Sequence, residues 1–214
     1  MTEQVLEAPG SAARRERDRL RRKALLLAWG GNAWHFVEFV LSLAAGIAAG
    51  SIALVAFGID SLIEAAAGFV IIWLFARSRA HTDRAERRAQ QLIAASYGVL
   101  VVYVVVESVT SLADREKPGV SWFGVAILVA AAVSMPLLAR AKRRVGQALG
   151  SHATASEGSQ NLVCAYLAVT ALAGIGANAL FGWWWADPVA ALGIGGIAAW
   201  EGVRAWRGDL CDDC

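Results

Sequence analysis

The sequence predicts an all-α membrane protein, a six-transmembrane-helix bundle with both termini in the cytoplasm. Two observations carry this prediction. The 214 residues are 57% hydrophobic, and the apolar residues form six runs near or beyond the ~20 residues that cross a bilayer. All 20 Lys and Arg residues lie outside these runs. Successive spans cross in opposite directions, so the segments between them lie on alternate sides of the membrane. All basic residues except Arg115 and Lys117 fall in the segments of one side. An excess of basic residues marks that side as cytoplasmic.

The order of apolar runs and breaker residues places each span. We predict spans at residues 24–48, 52–76, 90–112, 121–139, 157–181 and 186–203. The turn at 48–51 is so short that the first two spans must form an antiparallel hairpin. Turn-forming residues at 114–119 separate the third and fourth spans. The three tryptophans at 183–185 are typical of a membrane–water interface, and Pro188 suits the first turn of the sixth helix.

The spans divide the chain into three parts. Residues 1–23 are a basic cytoplasmic segment that we expect to be disordered or a frayed helix, 24–207 are the membrane domain, and 208–214 are a short tail. We expect no separate soluble domain and no cleavable signal peptide. Basic residues beside a first span indicate topology, so we predict no nucleic-acid partner. Cys211 and Cys214 of the tail could catch a metal, and a plain solvated tail fits equally well.

Two acids, Asp60 and Glu64, stand one helical turn apart near the middle of the second span. Their spacing puts both side chains on one face of the helix. Carboxylates are costly in hydrocarbon, and they are usually retained there for a function such as cation passage. The pair therefore predicts a cation site. The alternative is a neutral, hydrogen-bonded pair that helps the helices pack.

The fifth span carries a second pair at the same spacing, Gln160 and Cys164, with Glu157 one turn earlier and Asn161 next to Gln160. A thiolate is a soft ligand and an amide is a weak oxygen donor. Together with two carboxylates they could form a four-coordinate site for a borderline divalent metal. A cysteine in a membrane helix is also a common small apolar filler.

Other polar residues of the spans suggest supporting roles. His35 and Glu38 of the first span share a face, and they could relay protons or simply satisfy each other. We expect Glu107 and Glu201, near span ends, to reach water. We expect Asp187 to cap the sixth span.

Three stretches resemble the cation diffusion facilitator family. Residues 50–54, Gly-Ser-Ile-Ala-Leu, lead to 58–64, Gly-Ile-Asp-Ser-Leu-Ile-Glu, as in the family's second span. Residues 185–188, Trp-Ala-Asp-Pro, are similar to the opening of its sixth span. The resemblance covers roughly 24–207. It implies export of a divalent metal, usually coupled to proton entry.

The resemblance also implies a transport site. The family uses an acid or histidine and an acid four residues apart on the second span, and typically His and Asp on the fifth. Asp60 and Glu64 take the first two positions. Gln160 and Cys164 take the other two, aligned by the Ser-Glu at 156–157, and neither is the usual ligand. This departure leaves iron, cobalt, manganese or copper open as alternatives to zinc.

The sequence thus predicts a secondary transporter, not an enzyme, that exports a divalent transition-metal cation in exchange for protons, in the plasma membrane. The metal is cargo, and no cofactor is expected. One alternative is a membrane protein that binds or senses a metal without moving it. Another is a structural membrane protein. Many relatives carry a cytoplasmic domain that joins a dimer, so we expect any homodimer of this chain to form through its spans.

Overall fold

The computed structural model describes residues 9–76, 83–150 and 152–207, which fold into six helices without any strand among them. The helices are α1 (Pro9–Ala49), α2 (Ile52–Ala76), α3 (Asp83–Asp114), α4 (Trp122–Leu149), α5 (His152–Phe181) and α6 (Ala186–Arg207). The predicted all-helical bundle is confirmed. Within the described ranges, four segments are long and apolar enough to cross a membrane: Arg14–Ala49, Ala94–Asp114, Trp122–Leu149 and Glu157–Phe181.

Three helices extend well beyond the predicted spans. α1 begins at Pro9, so the described part of the basic N-terminal segment is helical and continuous with the first span. α3 begins at Asp83, and α4 runs on to Leu149. The helices are longer than the predicted spans because hydropathy identifies only the apolar part that crosses the bilayer. The helix itself continues until a helix-breaking residue ends it. For α4 that residue is Gly150, whose φ of 64° provides the left-handed cap.

α2 lies at the centre of the bundle, in contact with α1, α3, α5 and α6. The most extensive pairs are α4 with α5, α1 with α2, and α3 with α6. Small residues permit the close approach of α1 and α2, since a Cβ added at Gly58 would lie 3.0 Å from the backbone nitrogen of Leu43. The largest fully buried apolar side chains include Leu54, Phe57, Leu100, Leu128, Met135, Leu167 and Ile194.

The outer surface of the bundle is apolar. Large exposed side chains include Leu26, Ile47, Val99, Leu137, Tyr166, Leu180 and Trp206. At the turn between α5 and α6, Trp183 and Trp185 stack with ring centroids 5.5 Å apart, and Phe181 lies against Trp183. An apolar exterior of this extent suits lipid rather than water, and the aromatic cluster lies where an interfacial belt is predicted.

Asp187 joins the first turn of α6 to the start of α2. Its Oδ1 accepts a 2.5 Å hydrogen bond from the Ser51 hydroxyl, and its Oδ2 accepts bonds from the backbone N–H groups of Ile52 at 2.8 Å and Ala53 at 3.4 Å. Ser51 in turn accepts from the N–H of Leu54. The prediction that Asp187 caps its own helix is therefore wrong. It caps α2, whose first N–H groups would otherwise lack acceptors inside the bundle.

Candidate cation site

The central position of α2 buries both acids of the predicted pair. Asp60 is 2% exposed and Glu64 is 7% exposed. Each has one carboxylate oxygen, Oδ2 and Oε2 respectively, that receives no hydrogen bond. Buried polar atoms normally have a partner. Oxygens without a donor, in a part of the protein where water is scarce, leave room for a cation to satisfy them.

Glu64 meets a histidine of α1 and the cysteine of α5. His35, Glu64 and Cys164 each offer one ligand atom, and these atoms lie within 4.8 Å of one another. His35 Nδ1 is 3.2 Å from Glu64 Oε2, and the Cys164 sulfur lies within 4.8 Å of the ligand atoms of both. An imidazole, a carboxylate and a thiolate are the ligand types of tetrahedral zinc and its neighbours in the first transition row. We call these three residues the inner cluster.

His35 is held from both sides of its ring. Its Nδ1 also lies 3.2 Å from Glu38 Oε2, so it stands between the carboxylates of Glu38 and Glu64. Neither oxygen forms a hydrogen bond with Nδ1, so these are close polar contacts. On the other side, the Asn161 amide nitrogen is 3.1 Å from Nε2. The amide donates there, so Nε2 accepts and the proton resides on Nδ1, facing the two acids.

The four predicted ligands do not form one compact group. The structure brings the ligand atoms of Glu64 and Cys164 within 4.8 Å of each other, and it places Gln160 in the wall of a polar cavity that Glu64 also lines. Asp60 lies one turn from Glu64, outside the inner cluster. The third member is His35, for which the sequence predicted a proton relay or a satisfied pair, and a ligand role only if Cys164 lay outside the site. The spacing of residues along α1 gave no sign that this histidine faces Cys164 of α5.

One acid near Asp60, Glu201, is buried, although the sequence predicted that it would reach water. Asp60 interacts electrostatically with the acids Glu38, Glu64 and Glu201. Glu201 is buried, with one carboxylate oxygen lacking a donor and the other 3.7 Å from Arg204 Nη1. The expectation that Glu201 reaches water is wrong, because the face of α6 that carries it packs inward. Glu107, by contrast, is exposed on the outside of the bundle.

The polar cavity lies among α1, α2, α4 and α5. Its lining residues are Asn32, His35, Glu64, Gly68, Lys142, Glu157, Gln160 and Asn161. The cavity contains an ion pair, because Lys142 Nζ is 3.2 Å from Glu157 Oε2 and both side chains are buried. Carboxylate and amide groups dominate the lining, so this is a hydrophilic pocket in an otherwise apolar bundle.

Sequence reasoning missed Lys142, which it counted among the cytoplasmic charges beyond a span at 121–139. The signal was present in the spacing. The buried positions of α4 recur every three or four residues and include Leu128, Ala131, Met135, Ala139, Lys142 and Val145. Lys142 therefore continues the inward-facing stripe of α4. The tail cysteines Cys211 and Cys214 and the loop residues Arg77 and Arg79 lie outside the described residues.

The sequence model of the cation efflux transmembrane domain matches residues 33–208. The matched range contains the four predicted ligands, the inner cluster and the whole cavity except Asn32. No curated protein matches the chain.

Proposed function

Because this chain belongs to the cation efflux family, we propose that it exports a divalent transition-metal cation in exchange for protons. The protein is an integral, multi-pass membrane protein of a family of transporters rather than enzymes. The class of metal, the exchange for protons and a location in the plasma membrane are our proposal. The sequence pattern and the buried polar groups support it.

The observation that carries the proposal is the inner cluster. Its carboxylate is buried beside an imidazole and a thiol, and Glu64 retains an oxygen without a donor. A site that combines nitrogen, sulfur and oxygen favours a borderline metal over calcium or magnesium, which prefer oxygen alone. Asp60, one turn along α2, would supply further negative charge on the path of the ion. Gln160 and Cys164 would adjust which metal is preferred.

Exchange for protons follows from the ligand types. Metal ligands must be deprotonated to bind, so an arriving metal releases protons and arriving protons release the metal. The cluster lies among helices α1, α2 and α5, and the α3–α6 pair packs beside them. We propose that access alternates by movement of helices around this fixed site, as in other secondary transporters.

Transport into reconstituted vesicles tests the proposal. Asp60→Asn and Glu64→Gln should each reduce metal-dependent flux to background while the protein still inserts, since a central Asp costs about 2.5–3.5 kcal/mol and removing its charge eases insertion. Glu107→Gln is the matched control, because it neutralises an acid on the outer surface and should leave flux unchanged. Full transport by the Asp60→Asn, Glu64→Gln double variant would refute the site. Tight binding without flux in the wild type would favour a sensor.

We also propose that both termini are cytoplasmic, on the distribution of basic residues. A reporter fused after Cys214 should be active only in the cytoplasmic compartment. Activity of such a fusion in the external compartment would overturn this orientation. Any homodimer would form through the apolar outer faces of the helices.

A further inference from the structure

Lys142 is the one buried lysine or arginine among the residues whose side chains the structure describes, at 3% exposed. A buried ammonium is costly unless it is paired. Lys142 has one such partner, Glu157 of the neighbouring helix α5. Its charge also acts on Glu64, so it belongs to the electrostatic environment of the predicted cation site.

Although the ion pair forms, two carboxylate oxygens of the cavity receive no hydrogen bond. Glu157 contacts Lys142 through Oε2, whereas its Oε1 receives no hydrogen bond. Glu64 Oε2 likewise lacks a donor, although both acids are buried. Gln160 lines the same cavity and adds an amide oxygen. Two carboxylates and an amide are the oxygen donors that a divalent cation such as Mn²⁺ accepts.

The end of the lysine packs closely against α1 at Gly31. A Cβ added at Gly31 would lie 3.0 Å from Lys142 Nζ, 3.3 Å from its Cε and 3.2 Å from Cδ2 of Leu138 on the same helix as the lysine. The neighbouring Gly30 has nothing within 4 Å of the same hypothetical atom. The absence of a side chain at position 31 therefore allows the ammonium to lie in the cavity wall.

We propose that the Lys142 ammonium is a tethered stand-in for the cargo, occupying a second cation subsite formed by Glu64, Glu157 and Gln160. An entering divalent cation displaces the ammonium, binds these oxygens, and passes to the inner cluster through the shared Glu64. This inference rests on the proposed function and extends it, because it adds a subsite with oxygen ligands and a residue that opposes its occupation. The ammonium offsets part of the negative charge of the cavity when no cargo is present, and it weakens the binding of an arriving cation by repulsion.

Binding of Mn²⁺ to purified protein, measured by calorimetry, tests the inference. Lys142→Met has a side chain of similar length without the charge, and it should bind Mn²⁺ about tenfold more tightly, which corresponds to ~1.4 kcal/mol. Adding Glu157→Gln to Lys142→Met should remove that gain, because the subsite loses a carboxylate. This double variant removes both charges of the buried ion pair, so it also provides a folded reference if Lys142→Met proves unstable.

A second pair of variants moves the ammonium without changing any charge. Gly31→Val places methyl groups where the end of Lys142 lies, and it should tighten Mn²⁺ binding several-fold. Gly30→Val adds the same side chain at an open position and should leave the affinity unchanged. Equal gains from both glycine variants would overturn the inference, since the effect would then come from the helix rather than from the displaced lysine.

The two proposals fail in different ways. Wild type and Lys142→Met with equal Mn²⁺ affinity, combined with loss of flux in Glu64→Gln, would refute the tethered stand-in and leave the transport site in place. Undiminished flux in Glu64→Gln would refute the transport site itself. A gain in Lys142→Met that persists after Glu157→Gln would also refute the subsite, because Glu157 would then not be a ligand.

Discussion

Buried acids lie at two places along α2, and they differ in whether their carboxylate oxygens receive hydrogen bonds. At the N-terminus of the helix, Asp187 accepts bonds from the Ser51 hydroxyl and from two backbone N–H groups. Further along, Asp60 and Glu64 each keep an oxygen without a donor. Inside a membrane protein every polar group must be satisfied by the protein or by a ligand. The first acid is thus complete as a structural element, whereas each of the other two has an oxygen that the protein does not satisfy.

Two of the three stretches that resemble the cation diffusion facilitator family meet at the N-terminus of α2. The Gly-Ser-Ile-Ala-Leu stretch opens α2 and the Trp-Ala-Asp-Pro stretch opens α6, and the bonds of Asp187 join them. The α2–α6 junction fixes the start of the helix that carries Asp60 and Glu64. Asp187 therefore positions the helix that carries the candidate site while its own oxygens are used by Ser51, Ile52 and Ala53.

The largest expected effect is at the junction. Asp187→Ala removes the acceptor of three bonds and leaves N–H groups of α2 unsatisfied. A hydrogen bond to a charged group contributes about 1.5–3 kcal/mol, so we expect the free energy of unfolding in detergent to fall by about 3 kcal/mol. Ser51→Ala, which removes one of these bonds and the acceptor of the Leu54 N–H, should cost about 2 kcal/mol. An unchanged unfolding midpoint in Asp187→Ala would show that the junction does not stabilise the bundle.

The second prediction concerns stabilisation by metal. Ligand that binds only the folded state stabilises it by about 2.7 kcal/mol at a concentration of 100 times Kd. A metal of the correct class should therefore raise the unfolding midpoint of wild type and of Ser51→Ala, and should leave that of Glu64→Gln unchanged. Equal stabilisation of Glu64→Gln would place the metal elsewhere.

Some of these features could be predicted from the sequence, and others could not. The six helices were predictable because apolar length and charge distribution follow from the bilayer itself. The partner of Asp187 was not, because it lies 135 residues away at Ile52 and only tertiary packing brings the two together. The same holds for His35 facing Cys164. Lys142 was recoverable from the three- and four-residue spacing of α4, but its charge suggested a loop.

The third prediction concerns the choice of metal. A thiolate favours softer metals than oxygen ligands do, so Cys164→Ser should weaken zinc and cobalt binding by about tenfold, or ~1.4 kcal/mol, and manganese less. Cys164→Asp with Gln160→His should shift the preference toward zinc. The measurement is the order of affinities for manganese, iron, cobalt and zinc. An identical order in wild type and Cys164→Ser would remove Cys164 from the site.

The smallest expected effect is on the free energy of unfolding, when the same Asp-to-Asn substitution is made at Asp187 and at Asp60. Asp187→Asn keeps an oxygen acceptor but loses the charge, so it should lower the free energy of unfolding by about 1 kcal/mol. Asp60→Asn should raise it by about the same amount with a chelator present. Asp60 has an oxygen without a donor and lies near the acids Glu38 and Glu201, so the amide relieves desolvation and like-charge repulsion. The sign of the two changes is the decisive result. If Asp60→Asn destabilised the protein as Asp187→Asn does, Asp60 would have a structural partner and would no longer be a candidate for holding a cation.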